Sequence, residues 1–166
     1  MSETSNTTEN NKNARNKTGG NKKFMGGNQK LSRKTFEVTS REAIHQFSET
    51  LKSIADYMGQ EYTHGGDIHY IIENLEEFRF VRPQNLDPNA HQYDIESWKK
   101  QLDLYWKHRG IYEDNKMKLY SLAWGQCSKT MQSKLETYLD YQQCKNDYDS
   151  LKLIKIIREF VFRSDD

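Results

Sequence analysis

Beyond the first forty residues, apolar side chains recur at alternating steps of three and four: Ile44, Phe47, Leu51, Ile54 and Met58. That spacing lays them along one stripe of an α-helix. Thr39-Ser40-Arg41-Glu42, just ahead, has the spacing of a capping box, in which a hydroxyl and a carboxylate satisfy each other's orphan N–H groups. Order is therefore expected to begin near Thr39, with Gly59 as the C-terminal stop. Gly65-Gly66 breaks the chain, and Asp67 caps a second helix striped by Ile68, Ile71, Leu75 and Phe78. Residues 82–93 contain both prolines, Pro83 and Pro88, and read as a loop.

Asp94 is the expected cap of a third helix whose buried face is Ile95, Trp98, Leu102 and Tyr105. Met117, Tyr120 and Trp124, with Leu119 and Ala123 beside them, mark a fourth helical stretch. Gly110 either separates the two or sits inside one continuous helix, since an isolated glycine costs only about 1 kcal/mol. Gly125 closes the stretch. Ser128 caps a fifth helix bearing Met131, Leu135 and Leu139. A polar loop from Gln142 to Asp147 precedes a last helix with a broad apolar face: Leu151, Leu153, Ile154, Ile156, Ile157, Phe160 and Val161. No period-two alternation competes, and the closest strand candidate, Glu77 to Arg82, is short. The expected fold is all-α: a compact orthogonal bundle of five to six short helices.

The first 37 residues break this pattern. They are rich in Asn, Lys, Ser, Thr and Gly, and their sizeable apolar side chains are only Met1, Phe24, Met25, Leu31 and Phe36. So little apolar area cannot offset the entropy of ordering the backbone, so 1–37 reads as a disordered tail and 38–166 as the helical domain. Charge divides the same way. Residues 1–36 hold eight of the 25 Lys/Arg and two of the 24 Asp/Glu, a net of +6, and the remainder carries −5. A total of +1 thus hides a basic tail on a mildly acidic body.

Two cysteines, Cys127 and Cys144, make neither a disulfide framework nor a four-cysteine zinc site. Residues 1–23 contain no apolar run of the kind a secretion signal needs, and no stretch nears the roughly 18 apolar residues of a membrane span. The expected setting is the reducing cytoplasm, with no membrane association.

Enzyme-like chemistry finds little footing. His64, Asp67 and His69 flank the double glycine and are zinc-type donors, but they straddle a loop-to-helix junction and need not face one way. Cys127 precedes a helix N-terminus, where a thiol is acidified, yet a nucleophile also needs an oriented base, and nothing marks His108, the nearest histidine, as that base. Gly-rich phosphate loops and the Gly-x-Ser-x-Gly elbow are absent. The chain is expected to be no enzyme, with no metal, no cofactor and no small-molecule substrate.

Binding features are clearer. Lys12, Arg15, Lys17, Lys22, Lys23, Lys30, Arg33 and Lys34 make a flexible cationic arm suited to RNA contact without sequence preference, through counterion release. Trp98, Tyr105, Trp106 and Trp124 stand in the densest aromatic stretch and are the candidates for self-association; Trp106 falls off the apolar stripe.

A resemblance extends this reading. Trp98, Leu102 and Tyr105, then Leu119-Tyr120-Ser121-Leu122-Ala123-Trp124-Gly125-Gln126-Cys127-Ser128, Met131, Lys134-Leu135-Glu136 and the closing Asp149-Ser150-Leu151-x-Leu153-Ile154-x-x-Ile157-Arg158 resemble the capsid part of Gag-like proteins of copia-type (LTR) retrotransposons. The resemblance spans 98–162, about 65 of 166 residues. It implies a helical capsid subunit that self-assembles into homo-oligomers and packages element RNA. The alternative is a helical adaptor that binds another protein through an apolar groove and leaves nucleic acid alone.

Overall fold

The computed structural model describes residues 28–38 and 41–163. Six α-helices follow one another among them: α1 (Ala43–Glu61), α2 (Gly65–Asn74), α3 (Gln92–Gly125), α4 (Lys129–Glu136), α5 (Tyr141–Asn146) and α6 (Ser150–Arg163). A single 3-10 turn, Gln29–Leu31, precedes them, and the described residues contain no strand beyond an isolated bridge. The all-α expectation is what the chain adopts.

The periodic stripes become the core. Phe47, Leu51, Ile54 and Met58 of α1 are buried, as are Ile68, Ile71 and Ile72 of α2. Ile44 leaves the stripe and is partly exposed. α6 is the hub. Leu153, Ile154, Ile156, Ile157 and Val161 are buried, and the helix packs on α1, α3, α4 and α5. Each such aliphatic side chain contributes roughly 1.5–3 kcal/mol on burial. Truncating Ile157, which is wholly enclosed, is expected to cost roughly 2–5 kcal/mol.

Several boundaries differ from the sequence reading. α2 starts at Gly65, two residues before the expected cap Asp67. The reason is packing: a Cβ on Gly65 would lie 2.0 Å from the Met58 carbonyl oxygen, so only glycine lets α2 cross α1 this closely. His64, immediately before, takes the left-handed conformation at φ 56°, uncommon for a residue with a side chain. Gly110 has open space around it and does not interrupt the helix, so α3 runs unbroken for 34 residues, about 50 Å. The expected set of short helices thus includes one long one.

Of the stretch read as a polar loop, Gln142 to Asp147, all but the C-cap Asp147 lies in α5. α4 is capped as expected, the Ser128 hydroxyl accepting from the Met131 N–H at 3.2 Å, but it ends at Glu136, leaving Leu139 fully out in solvent rather than on a buried face.

The larger correction concerns the tail. Residues 28–37, expected to be its end, are packed against the body. Phe36 is completely buried, Leu31 and Val38 nearly so, and the Phe36 and Phe47 rings meet at 5.6 Å. Residues 28–38 therefore belong to the packed domain. Thr39 and Ser40 of the expected capping box, and residues 1–27 and 164–166, lie outside the described residues. At Glu42, which precedes α1, the side chain makes no capping hydrogen bond.

Candidate functional site

α3 is two structures in one helix. Its buried residues, Tyr112, Asn115, Leu119, Tyr120 and Ala123, all fall in the C-terminal part, and nothing before Tyr112 is buried. The N-terminal part is accompanied instead by the irregular segment 76–91, laid along it by aromatic contacts. Trp98 donates its indole N–H to the Gln84 carbonyl at 2.7 Å. Phe80 meets Tyr105, His108 and Tyr112 edge to face, at 6.3, 4.8 and 5.2 Å. The Tyr112 hydroxyl donates to Glu77 and accepts from the Phe78 N–H. Burial first, then the bond to Glu77, pushes this phenol well above its ordinary range, so it stays a donor.

Along this edge large apolar groups remain in solvent. Val81 is 91% exposed, Tyr93 80%, Leu104 66% and Trp106 50%. Val81, Leu104, Phe80 and Tyr105 line one shallow groove. Trp106 meets Tyr105 edge to face at 5.0 Å, with the guanidinium groups of Arg82 and Arg109 about 5.9 and 5.8 Å from its ring. Such cation–π contacts hold the ring in place at about 0.5–1 kcal/mol each when exposed.

The four aromatics proposed for self-association therefore separate. Trp106 is presented to solvent. Trp98 and Tyr105 are half-covered and organise segment 76–91. Trp124 stacks on Tyr141 at 5.4 Å against the core, so its ring is occupied within the chain.

The basic residues separate too. Lys12, Arg15, Lys17, Lys22 and Lys23 lie outside the described residues. Lys30 pairs with Glu61, and Lys34 with Glu49 at 3.2 Å. The hydrogen bond to Glu61 raises the Lys30 pKa, and Lys34 lowers that of Glu49. Both pairs are exposed. Arg33 is exposed as well.

Cys127 is buried, its thiol donating to the Ala123 carbonyl at 3.3 Å. Burial, with the Glu37 carboxylate adding to it, pushes this thiol far above the ordinary range, the opposite of what a nucleophile requires. His108 is no partner for it. Nineteen residues separate the two along and just past α3, about 28 Å at the helical rise.

His108 instead meets Asp67, Nε2 to Oδ2 at 2.6 Å, and stacks on His64 with ring centres 3.9 Å apart. His69, expected beside His64 and Asp67, turns away toward Asp56 and Glu73 at 3.7 and 3.3 Å. Spacing alone cannot find the third member of this cluster, because it arrives from α3, 41 positions from Asp67.

Cys144 is likewise buried, its thiol donating to the Asp149 carbonyl. No helix among the described residues is long and apolar enough to cross a membrane. Comparison with protein-family models, curated proteins and solved structures finds no match.

Proposed function

We propose that this chain is a Gag-like structural protein that associates with copies of itself and contacts RNA through its N-terminal cations. One observation carries the reading. No residue in the first half of α3 is fully buried, and Tyr93, Leu104 and Trp106 stand exposed on it, with Val81 exposed nearby. A monomer gains nothing from holding such an edge in water; a second copy covering it removes apolar area worth roughly 25 cal/mol per Å2. The bonding along segment 76–91 supports the idea, because a preformed edge loses less entropy on association. Trp106, ringed by Arg82 and Arg109, has the composition typical of an interface anchor.

Light scattering across a wide concentration range tests this, with and without RNA. The expected mass rises above the 19.7 kDa monomer as concentration increases. Leu104→Glu with Trp106→Glu is expected to weaken association at least tenfold while leaving the helical circular dichroism intact. A strict monomer at every concentration and with RNA overturns the proposal. Recovery of one defined protein partner with no nucleic acid would then favour a helical adaptor.

A further inference from the structure

We propose that His64, Asp67 and His108 form a divalent-metal site suited to zinc, pinning α3 to the joint between α1 and α2. Their ligand atoms all lie within 4.8 Å of one another. Two imidazoles and a carboxylate are donors that zinc takes at about 2.0–2.2 Å in tetrahedral arrangement. Donors around such an ion stand roughly 3.3 Å apart, so from spacings of at most 4.8 Å each pair needs to shift by no more than about 1.5 Å. The Asp67–His108 pair is already at 2.6 Å, and an ion seated between them would take the place of the shared proton.

Each ligand is placed by a separate structural constraint. His64 sits in the left-handed region at the entry to α2, a conformation that persists where its surroundings impose it. The carbonyl of Thr63, one residue earlier, accepts from the Asn115 side chain at 2.9 Å, tying this turn to α3. Asp67 lies in the first turn of α2, its side chain only 15% exposed. The His108 ring meets the Phe80 ring edge to face at 4.8 Å, a contact that restricts its rotation. His64 is exposed, so the fourth position faces outward, toward water or a donor from another molecule.

The position in the fold gives the site a consequence. His108 lies just before Tyr112, where α3 leaves the core. A metal there would fix the angle at which the unburied half of α3 is presented. The site itself needs no second copy, so it stands or falls apart from the assembly proposal.

Calorimetric titration of the chelator-treated full chain with zinc chloride is the direct test. One equivalent is expected to bind at low micromolar Kd or tighter, and a hundredfold excess over Kd is expected to raise Tm by several degrees. His64→Ala and Asp67→Asn should each weaken binding at least tenfold. The metal-free circular dichroism of each variant serves as the folding control. His69→Ala, which removes a nearby histidine with its own partners, should leave affinity unchanged. Cobalt(II) as a spectroscopic substitute should give the visible bands of a tetrahedral nitrogen–oxygen site, lost in His64→Ala. Absence of zinc uptake overturns the proposal. So does uptake that survives His64→Ala and Asp67→Asn, or uptake abolished by His69→Ala.

Discussion

The side-chain amide of Gln126 donates to the carbonyl of Leu31 at 2.6 Å, joining positions 95 apart in the chain. The same amide donates to the Lys34 carbonyl, and its oxygen accepts from the Asn28 N–H at 3.2 Å. The backbone repeats the connection: the Phe36 N–H donates to the Gln126 carbonyl, and the Ser128 N–H to the Phe36 carbonyl. A fully buried polar side chain thus takes the place of a second strand, satisfying the backbone of a segment whose own secondary structure is a single 3-10 turn.

Gln126→Leu keeps roughly the same volume and removes the three side-chain bonds, to Asn28, Leu31 and Lys34, while leaving the two backbone bonds in place. It is expected to cost about 2–3 kcal/mol, since several backbone groups lose their bonds while remaining enclosed. Urea denaturation measures the loss. Faster tryptic cleavage at Lys30, Arg33 and Lys34 would show that the 28–38 segment has detached; cleavage at the wild-type rate would contradict the role given to Gln126.

Two glycines should answer oppositely to the same substitution. Gly65→Ala forces a methyl against the Met58 carbonyl and is expected to destabilise by about 2 kcal/mol or more. Gly110→Ala adds a methyl in open space within α3 and is expected to stabilise by roughly 0.5–1 kcal/mol through helix propensity. Thermal melts of the two variants should therefore shift in opposite directions.

The thiols should be silent in the native protein. Burial pushes Cys144 up to about 11, with the Asp149 carboxylate adding to the shift, and pushes Cys127 higher still. A raised thiol pKa means the fold favours the neutral form. The resulting stabilisation is intact below the ordinary thiol value and is lost as pH climbs from about 9 toward 11. Ellman's reagent at pH 8 should label neither cysteine until denaturant is added. Rapid native labelling of Cys127 would revive a catalytic role for it.

RNA contact, if it runs through the N-terminal cations, should be strongly salt-dependent. Lys12, Arg15, Lys17, Lys22 and Lys23 together predict a slope of roughly −3.5 in log K against log salt for single-stranded RNA. Changing those five to glutamine should nearly flatten the plot. Lys30→Ala with Lys34→Ala should change it less, because both lysines already face carboxylates. A slope unaffected by the five changes would place the contact elsewhere.

Helical periodicity located most of the elements by itself, but not α5, which read as a loop, nor the end of α2 at Asn74, before Leu75 and Phe78 of its expected stripe. Most of the α1 stripe, Ile68 and Ile71 of α2, the α6 face, the Ser128 cap and the lack of strands among the described residues follow from local spacing, because a helix satisfies its own backbone and needs only one apolar face. What lay outside local spacing required the tertiary structure. Leu31, Phe36 and Val38 carry too little apolar area to order themselves, and they become core only because Gln126 and the body supply the bonds they lack. Leu139 and Ile44 fit a stripe and are nonetheless exposed, because the helix ends or turns before a neighbour can cover them. His108 joins His64 and Asp67, and the first half of α3 stands unburied, through the packing of distant segments. Periodicity reports which side of a helix is apolar; only the assembled chain decides which part of that side finds something to bury it.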